Sequence, residues 1–149
     1  MSGKRFLDAN VLVYAQDSAN LDKRRIARET IANAAREGKA VISTQIMQEF
    51  YSAATRMLHV APADVKSVLR TFTAFETVQV TPAMIFEAID CSMCNQLSFW
   101  DALMVCAASA AGCVEVVTED LSHGQTIHGV TVRNPFYVPP IPFLKQKKA

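Results

Sequence analysis

The sequence predicts an α/β fold, a mainly parallel sheet of about five strands covered by helices. Three observations carry that expectation. Short apolar runs alternate with longer amphipathic stretches along the whole chain, the pattern of repeated strand–helix–strand units. The 149 residues, half of them hydrophobic, suit one soluble domain with a sizeable core. No internal repeat, low-complexity segment or domain boundary interrupts the pattern before a proline-rich tail.

Each element follows from local chemistry. "KRFLDA" reads as a short buried strand, continuous in Phe6 and Leu7 and ended at Asp8. "ANLDKRRIARETIANAAREGK" reads as a helix with Leu21, Ile26, Ile31 and Ala34 on its apolar face and Gly38 as its stop. "AVIS" is a second strand. Ser43 and Thr44 then offer a cap to "QIMQEFYSAATRML", where Ile46, Met47, Phe50, Ala54 and Met57 recur at helical steps. "APADVKSVLRTFTAFE" is a helix opened by proline, with Val65, Leu69, Phe72 and Phe75 inside. "TVQV" is a third strand. Thr81 caps and Pro82 opens "TPAMIFEAIDCSMCNQ". "SFWDALMVCAASAAG" is a helix apolar all round, hence buried, between Ser98 and Gly112. "CVEVVT" is the fourth strand and "GVTVRN" the fifth. The domain is expected over residues 1–136, with a proline-rich and basic tail at 137–149.

No apolar run approaches the ~20 residues of a membrane span. The N-terminus carries an acid inside its apolar stretch, which argues against a signal peptide and for a cytoplasmic protein without a membrane partner. The four cysteines fit that compartment as free thiols. Cys91 and Cys94 form one C-x-x-C with no second such pair, and Cys106 and Cys113 lie seven apart. Structural zinc needs four closed ligands, so buried small hydrophobes are the expectation here. The formal net charge is +1. With four of the 14 acids sequestered in one site, 15 Lys and Arg would face 10 remaining acids. Basic clusters at Lys23, Arg24, Arg25 and Arg28 and in "KQKK" suit a solvated face, and also a nearby phosphate backbone.

Four acids fit a purely structural account badly. Asp8 ends the first strand, and Glu49 sits beside Phe50 on an apolar-rich helix. Asp101 lies within the most hydrophobic helix, and Asp120 closes "VVTED" after the fourth strand. Each has a structural alternative: a helix cap at Asp8, a solvated face at Glu49, a capping box from Ser98 to Asp101, a turn at Asp120. Together they are harder to dismiss. Asp8 and Asp120 both follow strands and so point to one edge of a parallel sheet, where open α/β sheets bind ligands. Two unit charges ~4 Å apart repel by about 4 kcal/mol at an effective dielectric near 20, so four converging carboxylates need protons or a cation. An oxygen-only cluster suits Mg²⁺ or Mn²⁺, which can activate water for phosphodiester hydrolysis. Beside Asp120, strand alternation past Val117 would turn Glu119 the other way.

The order "FLDANVLVY", "STQIMQEFY", "LSFWDALMVCAA", "VVTEDLSHGQ", "VRNPF" resembles the PIN-domain nucleases, and among them the VapC-type toxins of bacterial toxin–antitoxin pairs. The resemblance covers roughly residues 5 to 136. It implies a three-layer α/β/α fold, an acidic Mg²⁺ or Mn²⁺ site, and endoribonuclease activity leaving 5′-phosphate and 3′-hydroxyl ends. It also implies an RNA substrate, a cognate antitoxin and a homodimer. Asp8 matches the first acid of the family, Glu49 the acid after the second strand, Asp101 the third and Asp120 the fourth. Asp8, Asp101 and Asp120 would hold metal, and Glu49 would complete the site or orient the attacking water. Asn10, Ser98 and Thr118 match small polar positions and would orient the carboxylates. His123 is a candidate for touching substrate phosphate.

Other functions are open to the same residues. A haloacid-dehalogenase-type phosphatase would need a second Asp and a Thr where Asn10 and Leu12 stand. A housekeeping RNA-processing PIN nuclease would have the same site. A non-catalytic PIN module that binds RNA or protein would be expected to lack some of the acids, and all four are present.

Overall fold

The computed structural model describes residues 3–141. The strands are β1 (Arg5–Leu7), β2 (Ala40–Ser43), β3 (Glu76–Val78), β4 (Glu115–Val117), β5 (Thr126–Ile127) and β6 (Val130–Arg133). The helices are α1 (Ala9–Tyr14), α2 (Leu21–Arg36), α3 (Thr44–Arg56), α4 (Pro62–Phe72), α5 (Pro82–Asn95) and α6 (Phe99–Ala110). They form a six-stranded sheet in the order β3-β2-β1-β4-β6-β5, flanked by helices. Every neighbouring pair is parallel except β5–β6.

The expected caps form. Ser43 accepts from the Ile46 N–H at the start of α3, Thr81 from Met84 at α5 and Ser98 from Asp101 at α6, and Asn20, which sequence reasoning missed, caps α2 by accepting from Lys23. Phe6, Leu7, Val41, Ile42, Val116 and Val117 fill the sheet centre, and α6 is buried from Ala102 to Ala108.

The fold departs from expectation in four places. Asp8 ends β1 and is also a helix cap, its structural alternative, but the helix it opens, α1, is not among the expected elements. The third strand begins at Glu76 and ends at Val78, so it covers only the first half of "TVQV". A sixth strand, β5, pairs with β6 across His128 and Gly129, which both have positive φ (53° and 81°). Two residues at positive φ make the tight turn whose twist matches an antiparallel pair. Leu21 and Met57, at the ends of their helices' apolar faces, are exposed. Of the expected tail, 137–141 contains no helix or strand, and the basic "KQKK" lies outside the described residues.

The sheet order fixes where a ligand can sit. From β1 the chain builds outward through β2 to β3, then returns to place β4 on the other side of β1. The connections after β1 and β4 therefore diverge and leave a crevice at the strands' carboxyl ends. Leu7 and Val117 are paired in register there, and the Asp8 N–H donates to the Val117 carbonyl at 3.0 Å.

Candidate active site

Thr118 is the knot of this crevice. Its side chain is fully buried one residue past β4. The hydroxyl donates to Asp8 Oδ2 at 2.7 Å and accepts from the Asp120 N–H at 3.1 Å and from Asn10 Nδ2 at 3.3 Å. One donor and two acceptor sites are thus all used. The T-x-D spacing and the D-x-N spacing are closed onto each other by this one oxygen. Asp8 Oδ1 also accepts from the Ala9 N–H at 2.6 Å, so its carboxylate is held at both oxygens. The cap and the site residue are the same group.

The other two acids arrive on helices. Ser43 ends β2 and caps α3, which makes α3 start at the same sheet edge. Within the first turn of α3, Gln45, itself buried, donates through Nε2 to Glu49 Oε1 at 2.9 Å and to the Trp100 carbonyl at 3.0 Å. Gln45 therefore ties the Glu49 helix to the first turn of α6. At that turn Ser98 Oγ accepts from the Asp101 N–H at 3.1 Å, so Ser98 reaches Asp101 through its backbone. Asp8, Asn10, Tyr14, Glu49, Glu119 and Asp120 line a cleft of about 290 Å³. Asp101 stands close enough for its charge to act on both Glu49 and Asp120.

These acids oppose one another's ionisation. Burial pushes the Asp8 carboxyl up to about 7; the Thr118 and Ala9 hydrogen bonds pull against it, and the Glu49 and Asp120 charges add to it. Glu49 is raised by burial, against its bond from Gln45, and further by Asp101 and Asp120. Asp120 is raised by burial and by Asp101, against a hydrogen bond from Asn10, with Glu119 adding to the rise. Unneutralised carboxylates under mutual repulsion behave in this way. Among the described residues, Asn10 Oδ1 and Gln45 Oε1 are buried without a hydrogen-bond partner. Buried acceptors without partners are uncommon, and these two sit on residues that hold the acids. Among the described residues, no three of the acids bring oxygens within 4.8 Å of one another.

The structure thus brings together Asp8, Asn10, Glu49, Asp101, Thr118 and Asp120. His123 is held apart from the acids' hydrogen bonds: its Nδ1 accepts from the Asn134 N–H at 3.1 Å, and its ring stacks on Tyr137 at 4.2 Å. Sequence reasoning missed Gln45. Its signal is the four-residue step to Glu49 on one helical face. It also missed the wall made by Tyr14 and Lys23. Tyr14 OH donates to Glu119 Oε1 at 2.6 Å and Lys23 Nζ to Glu119 Oε2 at 2.8 Å. The ammonium lies 4.5 Å from the Tyr14 ring centre and 5.0 Å from that of Phe136.

A family model, the PIN domain, matches residues 5–126. The chain belongs to the PIN-domain family. The matched span stops short of β6, which nonetheless pairs with β4 in the sheet of this PIN domain. No curated protein matches the chain by sequence. Solved structures resemble it in fold. A toxin–antitoxin complex from Klebsiella pneumoniae superposes with a TM-score of 0.68 at 17% identity, covering 91% of this chain and 100% of that one. DNA-bound VapBC from Salmonella typhimurium gives 0.62 at 18% identity, with 89% and 98% covered. The Mycobacterium tuberculosis toxin VapC20, which cleaves the sarcin–ricin loop, gives 0.63 at 16% identity, with 76% and 87% covered.

Proposed function

We propose that this PIN domain is a Mg²⁺- or Mn²⁺-dependent endoribonuclease acting as the toxin of a toxin–antitoxin pair. The observation that carries this reading is the set of mutually repelling carboxylates at the β1–β4 crevice, with Asp8 buried at its base and the unpartnered Asn10 oxygen beside them. All donors are oxygens, which fits a hard divalent ion.

Asp8, Asp101 and Asp120 would hold the ion, directly or through water, and Glu49 would complete the site or orient the attacking water. When bound, the ion lowers the pKa of that water and neutralises charge developing at phosphorus. The chain's own residues do the positioning. Thr118 and the Ala9 N–H fix both oxygens of Asp8, Gln45 aims Glu49, and Asn10 braces the Thr118 hydroxyl that also accepts from the Asp120 N–H. Water oxygen bonds to phosphorus, the bond to the 3′ oxygen breaks, and that oxygen leaves with a proton as a 3′-hydroxyl.

The toxin reading draws support from the fold likeness to VapC20, and that to the Klebsiella and Salmonella complexes supports a cognate antitoxin. A homodimer and a cytoplasmic site of action belong to the same reading. No described helix is long and apolar enough to cross a membrane. The test is cleavage of single-stranded RNA by purified protein, abolished by EDTA, restored by Mn²⁺ and absent in Asp8→Asn. Full activity in excess chelator would end the metal mechanism. Induction of wild type should arrest growth, and Asp101→Asn at equal soluble level should not. An active nuclease that leaves growth unchanged would point to RNA processing instead.

A further inference from the structure

The sequence groups the cysteines as Cys91 with Cys94 and Cys106 with Cys113, and the fold breaks both pairs. Cys94 is exposed, and Cys113 lies beside Lys4 and Glu76. Cys91 on α5 instead stands beside Cys106 on α6. Next to them stand two further donors. A carboxylate oxygen of Glu87 on α5, the Cys106 thiol and a ring nitrogen of His128 in the β5–β6 turn all lie within 4.8 Å of one another. His128 Nε2 and Glu87 Oε1 are 2.6 Å apart.

We infer that Glu87, Cys106 and His128 form a second metal site, selective for Zn²⁺ and separate from the acidic cleft. Three different segments supply one ligand each, and sulfur, nitrogen and oxygen together suit zinc rather than Mg²⁺ or Mn²⁺. Three protein ligands leave the fourth tetrahedral position to water. Ligands about 2.0 Å from a tetrahedral ion stand about 3.3 Å apart, so the His128–Glu87 pair need open by less than about 1 Å. Both of those side chains are partly exposed and offer an entry path, while Cys106 closes the inner side. Binding converts the Cys106 thiol to a thiolate and releases its proton to solvent; His128 ligates as the neutral imidazole. The ion would fasten the short β5–β6 hairpin to α5 and α6.

Co²⁺ titration of the reduced, metal-free full chain tests this, because only a thiolate ligand gives a sulfur-to-cobalt charge-transfer band. One equivalent should produce the band, and Zn²⁺ should displace it. Cys106→Ser should abolish it, and His128→Asn should weaken Co²⁺ affinity at least tenfold. Asparagine accepts the positive φ at 128, so that variant should fold even if Cys106→Ser does not. Asp8→Asn should keep the band, which separates this site from the acidic cleft. No band in folded wild type would overturn the inference. So would a band unaffected by either substitution, or one lost only with Cys94→Ser.

Discussion

Glu119 and Asp120 are neighbours in the chain and line the same cleft, yet their charges meet opposite surroundings. Burial raises both. At Glu119 the hydrogen bonds from Lys23 and Tyr14 and the Lys23 charge outweigh burial, and its pKa falls below the usual range. At Asp120 no cation among the described residues compensates; Asp101 adds to burial and the pKa rises. A carboxylate already neutralised by the protein has little to offer an ion. One left under repulsion gains most from it. The cleft therefore has a structural wall at Tyr14, Lys23 and Glu119, and a reactive edge at Asp8, Glu49, Asp101 and Asp120.

Substitution of Asp8 should affect the reactive edge most. Asp8→Asn is expected to abolish cleavage and, in EDTA, to remove a pH dependence of stability. With its folded pKa at about 7 against the ordinary 3.8, Asp8 keeps in the native state a proton that the unfolded chain has released. Stability is thus favoured below about pH 4 and falls as pH rises to about 7, by up to about 4 kcal/mol. Chemical denaturation of wild type and Asp8→Asn at pH 5 and pH 8 checks this. A wild-type protein more stable at pH 8, with the variant following it in parallel, would contradict the account.

Asp120→Asn comes next, with a loss of more than about 100-fold in cleavage rate, above the range for residues that only orient a ligand. The loss should shrink as Mn²⁺ is raised. Asn10→Ala should cost about 10–100-fold, because it removes the amide that braces Thr118 and the unpartnered oxygen beside it. A rate within twofold of wild type would leave Asn10 a mere packing residue. The smallest effect belongs to the wall. Glu119→Gln should change cleavage by no more than a few-fold and lower stability by about 1 kcal/mol or less, since the Lys23 pair is partly exposed. Should Glu119→Gln prove more damaging to cleavage than Asp120→Asn, the wall and the edge have been assigned the wrong way round.

The sequence by itself determined the order of the longer elements, the caps at Ser43, Thr81 and Ser98, and the parallel sheet. Periodicity and capping are local, and a Ser or Thr before an apolar helical repeat means the same thing in any fold. The four acids were legible as a group because Asp8 and Asp120 follow strands and because the motif order resembles one family. Only the tertiary structure decided what each neighbouring group does with its charge. Lys23 reads as part of a solvated basic cluster, and the fold carries it 96 residues along the chain to Glu119. Gln45 becomes the tie between Glu49 and α6, and Cys106 leaves Cys113 for Cys91, Glu87 and His128. α1, six residues long, and β5, two residues long, escaped notice for a related reason. Segments that short have too little periodicity to read; Asp8 caps α1, and the His128–Gly129 turn pairs β5 with β6. Burial and charge pairing are sums over groups distant in sequence, so they come into being only when the chain has closed.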